Sequence, residues 1–565
     1  MVKKFYDTDY LRDLKELIER SAHKYGTNIA MKDLDTEGNI HQYTYIELKE
    51  DIEALGTKLL DLGLQGRHFA LIGESSYSYV VSYLAVANGL GVIVPLDKEL
   101  PNDDLLKLII KSDADVLFYS DSLKSDIDEI KAASPQELFC INISMYENFE
   151  EGPNIKRFLK EGMELINQGD RRYMEIIIDP LAMCGILFTS GTTGANKGVM
   201  LCHQNLATVL HSAFSLFKLG KVSFSVLPIN HTYEFNVHVL GTIYGGITLC
   251  FNDSIMHVKE NLLKFKPEMS LMVPMIVESL YKNIWNEAKK TRLDKHLRYG
   301  IWYSNLIRKI GIDERKIFFK PVLEALGGNL RLIVSGGAPL RQEIIKGFDD
   351  LGITVYNGYG ITECAPLISS NCTLKSVPGS VGIIVPDIKV RISDKNPDGT
   401  GEIQVSGPNV MLGYYKDEEC TKKTFTEDGW FKTGDIGYIG KKGALYITGR
   451  EKNLIILTNG KNVHPEELEE YLVANLDYVK EVVVYALESL EGVEALISAS
   501  AFLDPEYLER VGLEKAKETF TQDVRRLNSN LATYKRIQCA YVRETEFEKT
   551  TTKKIKRFAI DKGGE

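Results

Sequence analysis

Residues 188–198 read FTSGTTGANKG and bring three glycines, a run of hydroxyl side chains and one lysine together, directly behind the apolar stretch 184–188. Glycine lets backbone approach a ligand closely and adopts positive φ without strain. Successive amide N–H groups in such a loop form an anion-binding nest, to which a lysine adds a point charge. The chemistry this pattern predicts is a phosphate cradle made by Thr189, Ser190, Gly191, Thr192, Thr193, Gly194 and Lys197. The competing reading is an ordinary glycine-rich turn. A Walker loop is excluded by spacing: counting from Gly191, the sixth position is Asn196 and not glycine, and Gly198 stands where Ser or Thr would hold Mg²⁺. No G-x-G-x-x-G dinucleotide fingerprint occurs in the segment either.

Further segments pair glycine turns with groups suited to a nucleotide. SGGAPL at 335–340 follows the strand-like RLIV, and its small side chains allow a flat base to lie against backbone. NGYGITE at 357–363 offers an aromatic face in Tyr359, a hydroxyl in Thr362 and a carboxylate in Glu363, the hard oxygen ligand that Mg²⁺ requires. KTGD at 432–435 places Asp435 after a glycine turn, where it can accept from two ribose hydroxyls or serve as a plain hairpin residue. GREKN at 449–453 supplies Arg450 as a donor, and EKTTTKKIKR at 548–557 concentrates cations near the C-terminus. Taken singly, each has an ordinary loop or solvated-tail alternative.

The frame that must position these groups is legible from periodicity. Thr44 and Glu47 form a capping box for a helix whose apolar residues are Ile52, Leu55, Leu59 and Leu62. A strand at 68–72, a helix at about 77–88, a glycine turn, a strand at 91–95, a helix opened by Pro101 as its first residue, and a strand at 116–119 follow. This alternation predicts a mostly parallel sheet covered by helices on both faces. Strands at 223–228, 247–251, 270–273, 331–335 and 353–356 continue it. A basic and aromatic helical insert spans about 283–325; its charges read most simply as a solvated face, with a membrane-surface role as the lesser reading. After about 380 the texture changes to short strands with Gly and Asp turns. A helix at 465–475, a strand at 481–487, a helix at about 514–531 and a strand near 537–542 make an α+β tail. The expected fold class is therefore α/β: a large N-terminal domain, 1–450, of helix-covered mixed or parallel sheets plus a β-rich subdomain, and a small, mobile α+β C-terminal domain, 451–565.

Bulk properties narrow the function. The 565 residues exceed one ordinary core, and 44% hydrophobic with 26% charged residues is the balance of a globular protein. A net charge of −10 argues against nucleic-acid binding and against a broadly basic membrane face, although a local patch is hidden in that sum. The eight cysteines show no zinc spacing and read as reduced thiols. The uncharged run 75–96 is interrupted by Asn88, Gly89 and Gly91 and ended by Pro95, so a folded helix and strand fit better than a membrane span. With no apolar signal in MVKKFYDTDYLRDL, a cytoplasmic location is expected.

In order along the chain, FTSGTTGANKG, LPINHTYE (227–234), SGGAPL, NGYGITE, GWFKTGD, GREKN, GKNVHPEELE and EKTTTKKIKR together resemble the adenylate-forming superfamily. Within it, LPINHTYE and LGGNLRLIVSGGAPL look most like the long-chain fatty acyl-CoA synthetases. The resemblance implies a ligase that joins a fatty acid to CoA through acyl-AMP, with ATP, Mg²⁺ and CoA as its cofactors or co-substrates. It also implies roles. Thr189, Ser190, Thr193 and Lys197, with Gly191, Thr192 and Gly194, would hold phosphates; Gly337, Ala338 and Tyr359 would frame adenine, with Gly360 also on the nucleotide. Thr362 would sit at the α-phosphate, Glu363 on Mg²⁺, Asp435 on the ribose with Arg450 assisting, and His231 near the carboxylate. Lys554 aligns with the family's catalytic lysine and Lys452 with its hinge. Two departures stand out: Asn196 replaces the usual proline, and Lys553 replaces the glycine before the catalytic lysine, which leaves Lys553 as a rival to Lys554. Other readings that stay open are an acyl-AMP ligase loading an acyl carrier protein, an aryl-CoA ligase, and an inactive nucleotide-binding module. Peripheral membrane contact is also left open.

Overall fold

The computed structural model describes residues 6, 8–146, 152–190, 196–373, 375–396, 399–457, 462–488, 495–549 and 555–560. The chain divides into two compact units. The first comprises Met1–Gly191, Asn196–Lys389 and Val405–Phe431; the second takes in Val390–Gln404 and Lys432–Glu565.

Two large sheets build the first unit. In the seven-stranded sheet the strands run, edge to edge, Gly413–Tyr414, Asn196–Cys202, Met183–Ser190, Val92–Pro95, His68–Ile72, Ala114–Tyr119 and Phe139–Asn142. The last five are mutually parallel, and the first two are antiparallel additions. The nine-stranded sheet has six central parallel strands, Thr354–Gly360, Leu332–Ser335, Met269–Met272, Val222–Ser225, Thr248–Phe251 and Ile29–Leu34. Its antiparallel edges are Leu367–Ser370 with Ile383–Ile384 on one side and Ile40–Thr44 on the other. Most of the parallel strands, among them HFALI, VIVP, MSLM and LIVS, are buried along nearly their whole length, as strands of a helix-covered parallel sheet are. The expected α/β class and mixed sheets are therefore present.

Local rules place the helices. The Thr44–Glu47 capping box opens Tyr45–Asp61, and the Ser76 side chain caps Tyr77–Ala87. Tyr45–Asp61 lies against the helix Ile155–Asn167 closely enough that a Cβ on Gly162 would sit 1.9 Å from the Ala54 carbonyl oxygen, so only glycine fits there. One helix start differs from expectation. Pro101 has ψ 147°, which is extended, so it occupies the cap position and the helix begins at Asn102. A short antiparallel pair, Ile29–Leu34 with Ile40–Thr44, and the strand Ala495–Leu503 had no periodic signal strong enough to read.

The second unit is built on a four-stranded sheet, ordered Lys389–Ser393, Gly401–Ser406, Phe431–Ile439, Leu445–Arg450, and on a three-stranded sheet, Val479–Glu488, Ala495–Leu503, Cys539–Arg543. The latter shares a core with the helices Pro465–Asn475 and Leu513–Leu527 through Leu468, Leu472, Phe520 and Val524. Among the described residues no helix is long and apolar enough to cross a membrane.

Candidate active site

The glycine-rich segment is strand–loop–strand. Met183–Ser190 and Asn196–Cys202 pair antiparallel, with Thr189 opposite Lys197 and Ser190 opposite Asn196. A Walker loop runs from strand into helix and offers that helix's N-terminus to phosphate; here both flanks are strands, in keeping with the failed spacing. Gly191, Thr192, Thr193 and Gly194 lie outside the described residues. Lys197 stands at the mouth of this hairpin, its Nζ 4.8 Å from the ring centroid of Tyr414 and 2.9 Å from Cys420 Sγ.

Tyr414 connects this hairpin to the second sheet. It sits on the edge strand that pairs with Asn196–Cys202, opposite Val199, and its hydroxyl donates to Glu363 Oε1 at 2.9 Å. Burial, reinforced by the Glu363 charge, pushes the phenol well above its ordinary range, so it remains a donor at neutral pH. Thr362 and Glu363 lie on the turn Thr362–Cys364, immediately after the strand Thr354–Gly360. That turn is held by buried amides. Asn409 Nδ2 donates to the carbonyls of Cys364 (3.0 Å) and Leu367 (3.1 Å), Asn236 Nδ2 to that of Ala365 (3.4 Å), and the Met411 N–H to that of Glu363 (2.8 Å). The segment that delivers Asn409 is fixed in turn by Asn205 Nδ2, donating to Pro408 O (2.8 Å) and Val410 O (2.9 Å).

The segments expected to frame a nucleotide base end neighbouring parallel strands. Leu332–Ser335 and Thr354–Gly360 pair with Ser335 opposite Asn357, so 336–338 and 358–360 emerge side by side at their carboxyl ends, where ligands bind in open α/β sheets. Gly337 has φ +83°, and Gly337 and Ala338 are both exposed. Tyr359 is buried, and a Cβ on Gly360 would come within 2.0 Å of the Pro366 carbonyl oxygen. His231 is half-buried and starts the turn that carries Tyr233, whose ring packs on Gly336 and whose hydroxyl donates to Val334 O at 2.9 Å. Glu234 in the same motif is structural. Its Oε1 lies 2.9 Å from His238 Nδ1, and His238 Nε2 lies 2.6 Å from Ser223 Oγ, in a chain closed to solvent.

In the second unit, Asp435 and Arg450 face each other across Phe431–Ile439 and Leu445–Arg450, with Arg450 Nε 3.0 Å from Asp435 Oδ1. The KTGD segment lies inside a strand: Gly434 takes φ +67° within Phe431–Ile439, so the glycine turn expected before Asp435 is a local distortion of a continuous strand. Lys452 lies on the following turn, Glu451–Asn453.

Lys553 and Lys554 lie outside the described residues, but their flanks are anchored. Lys549 bridges to Ile555, the Lys556 N–H donates to Glu548 O at 2.8 Å, and Lys549 pairs with Glu481 and Glu546. Arg557 pairs with Glu469 and donates to Val484 O at 3.2 Å. Burial pushes the Glu469 carboxyl up to about 7, with the Arg557 charge pulling it down. A carboxyl raised above its ordinary value of 4.5 holds a proton on folding. Its stabilisation is complete below that value and is lost as pH rises through about 7. Glu469→Gln is therefore expected to flatten the fall in thermal midpoint from about pH 5 to about pH 7.5; midpoints that stay parallel to wild type across this range would refute the assignment.

No cluster of three metal-binding side chains occurs among the described residues, and Glu363 is one carboxylate linked through Tyr414 to Lys197. That arrangement suits Mg²⁺ arriving with nucleotide phosphates, since Mg²⁺ keeps several waters and takes one or two protein carboxylates.

Residues 18–415 match the AMP-binding enzyme family. The chain belongs to this family. It is an adenylate-forming ligase of the acid–thiol class, with relatives of matching description. Long-chain-fatty-acid--CoA ligase FadD15 of Mycobacterium bovis is 28% identical over 478 residues, 81% of this chain and 78% of that protein. The chloroplastic long-chain-fatty-acid--[acyl-carrier-protein] ligase AEE15 of Arabidopsis thaliana is 26% identical over 575 residues, 88% of this chain and 77% of that protein. Among solved structures, ATP-bound MatB from Rhodopseudomonas palustris superposes with a TM-score of 0.74 at 24% identity, covering 96% of this chain and 97% of the other, which establishes the shared AMP-binding fold.

Proposed function

We propose that this ligase joins a long- or medium-chain fatty acid to CoA, using ATP and Mg²⁺. The observation that supports the reading is the array Lys197–Tyr414–Glu363, in which one buried phenol has an ammonium 4.8 Å from its ring centroid and a carboxylate on its hydroxyl, a pairing suited to a phosphate cation and a metal ligand. In the first step a carboxylate oxygen attacks the α-phosphorus of ATP and pyrophosphate leaves, forming acyl-AMP. In the second, the CoA thiol, losing its proton to solvent, attacks the acyl carbonyl and AMP leaves. A carboxylate needs no general base, so catalysis rests on alignment and on charge neutralisation at phosphorus.

Thr189, Ser190, Gly191, Thr192, Thr193, Gly194 and Lys197 hold the β- and γ-phosphates in this reading, and Gly337, Ala338, Tyr359 and Gly360 frame the base. Thr362 meets the α-phosphate and Glu363 the Mg²⁺, which would neutralise phosphate charge. Asp435 takes the ribose hydroxyls, held in place by Arg450. His231 lines the carboxylate side and Lys554 bridges the reacting oxygens. Residues beyond Arg450 form a mobile domain hinged at Lys452, and the enzyme works in the cytoplasm.

A second reading has one specific support, the carrier-protein ligase among its relatives: the acyl group would pass to a carrier protein and not to CoA. Incubating the protein with ATP, Mg²⁺ and palmitate, with and without CoA, separates the two. Pyrophosphate release with CoA-dependent AMP and thioester supports the proposal. Pyrophosphate without thioester supports the carrier-protein reading, and neither product across a series of acid lengths and aryl acids refutes both. In the same assay Glu363→Gln is expected to lower the rate at limiting Mg²⁺ by about 10²-fold, partly restored by excess Mg²⁺; an unchanged Mg²⁺ dependence would count against its role.

A further inference from the structure

Between the strands Met269–Met272 and Leu332–Ser335 the chain inserts two long helices, Pro274–Lys290 and Asp294–Arg308, and two short ones, Arg315–Phe318 and Lys320–Glu324. The inner face of Asp294–Arg308 is committed to the protein. Ser304 is buried, Asn305 Nδ2 donates to Asp350 Oδ1 at 2.9 Å, and Arg308 Nη1 donates to Asp349 Oδ2 at 3.0 Å. The outer face carries Tyr299, Trp302, Leu306 and, just past the helix end, Ile310, at spacings of three or four residues that put them on one stripe. They are 66%, 58%, 48% and 74% exposed, and Ile317 on the next helix is 70% exposed. Single exposed apolar side chains are ordinary, but a stripe of them marks an interaction surface.

Its surroundings identify the partner. Residues 289–320 contain ten lysines and arginines against three acids, in a chain whose net charge is −10. Lys289, Lys295, Lys309 and Lys316 are all exposed. We infer that this face docks the protein onto an anionic lipid bilayer. Trp and Tyr settle at the headgroup boundary with their rings in the apolar side, lysine stems lie along apolar surface while their ammonium groups stay in water, and a basic rim is drawn to an anionic leaflet. An apolar helix face with such a rim has the composition of an interfacial helix. A protein partner fits less well, because protein interfaces are depleted in lysine, which supplies six of these ten cations. A second copy fits less well again, since a two-fold contact would press two positive faces together. Resting on the fatty acyl reading above, docking would let the acid be drawn from the bilayer in which it dissolves; the docking itself requires no such reading, and its test uses no acid.

The test is sedimentation of the full chain with vesicles of phosphatidylcholine alone and of phosphatidylcholine mixed with phosphatidylglycerol. Binding to the mixed vesicles is expected to exceed binding to neutral ones by at least about tenfold and to weaken with added salt. The mixed vesicles should blue-shift tryptophan emission, and Trp302→Phe should abolish the shift. The pairs Trp302→Ser with Ile310→Ser, and Lys309→Glu with Lys316→Glu, should each reduce binding by about tenfold with an unchanged thermal midpoint. Failure of the wild-type chain to bind mixed vesicles, equal binding to both vesicle types, or binding unaffected by both pairs would overturn the inference. So would a dimer in solution that Ile310→Ser dissociates.

Discussion

Lys554→Ala is expected to lower acyl-adenylate formation by about 10²–10³-fold, the cost of removing one preorganised cation from a charge-developing transition state. Thioester formation from supplied acyl-AMP should stay within a few-fold of wild type, because the phosphorus chemistry is then already complete. Pyrophosphate exchange reports the first step, and chromatography of acyl-CoA made from synthetic acyl-AMP reports the second. The neighbouring lysine makes the comparison demanding. Lys553→Ala should leave adenylation largely intact; if the two substitutions exchanged phenotypes, Lys553 would carry the role. Equal loss of both steps in Lys554→Ala would show that the residue merely maintains the fold of the tail. The anchors on either side, Lys549 with Glu481 and Arg557 with Glu469, make that outcome separable. They fix the flanks independently of the lysine between them.

Lys452→Pro is expected to give the opposite pattern. A hinge residue absorbs a change in φ and ψ while the domains it joins stay rigid. Proline holds φ near −65° and so removes that freedom. If the proposed movement after Arg450 separates the two half-reactions, adenylation should persist while thioester formation falls by about 10²-fold, the cost of misplacing reacting groups. Single-turnover measurement of acyl-CoA from bound acyl-AMP distinguishes this from slow product release. An unchanged second step would dispose of the hinge at this position. Lys452 lies on the short turn Glu451–Asn453 beyond the strand that ends at Arg450, and the nearby Asn453 Nδ2 donates to Glu466 Oε1 at 2.6 Å. The substitution thus falls where backbone already changes direction and spares the paired strands.

Much of the frame was legible in the sequence because it is written in local terms. A capping box at Thr44, glycines between apolar runs and a proline at the start of Pro465–Asn475 all act within a few residues. The strands Leu332–Ser335 and Thr354–Gly360 could be read because each contains a short, mainly apolar stretch, 332–334 and 353–356, with glycine within two residues of its end. The groups that hold the site were not legible. Asn409, Asn205 and Asn236 act by satisfying carbonyls elsewhere in the chain, and an isolated asparagine carries no periodic or spacing signal for that task. Tyr414 was missed for the same reason: its two roles depend on an edge strand only two residues long. Asp435 shows a finer failure. The sequence places a glycine turn before it, but a glycine of positive φ also occurs within a strand, and here Asp435 faces Arg450 across paired strands. Pro101 erred by one position because its φ of −57° suits either side of a helix start, and only ψ decides.

Tyr414 has a consequence for how binding energies in this enzyme can be apportioned. One ring lies beneath the Lys197 ammonium, and its hydroxyl holds the Glu363 carboxylate. In the proposed reading, where Lys197 holds the leaving-group phosphates and Glu363 the Mg²⁺, this one ring would transmit a shift at either group to the other. Linkage makes such transmission reciprocal: if Mg²⁺ tightens nucleotide binding by some factor, nucleotide tightens Mg²⁺ by the same factor. Titrations of either ligand in a Tyr414→Phe protein should therefore lose part of their dependence on the other, by equal factors in both directions. The pair would then behave as two tenants of one room given separate doors.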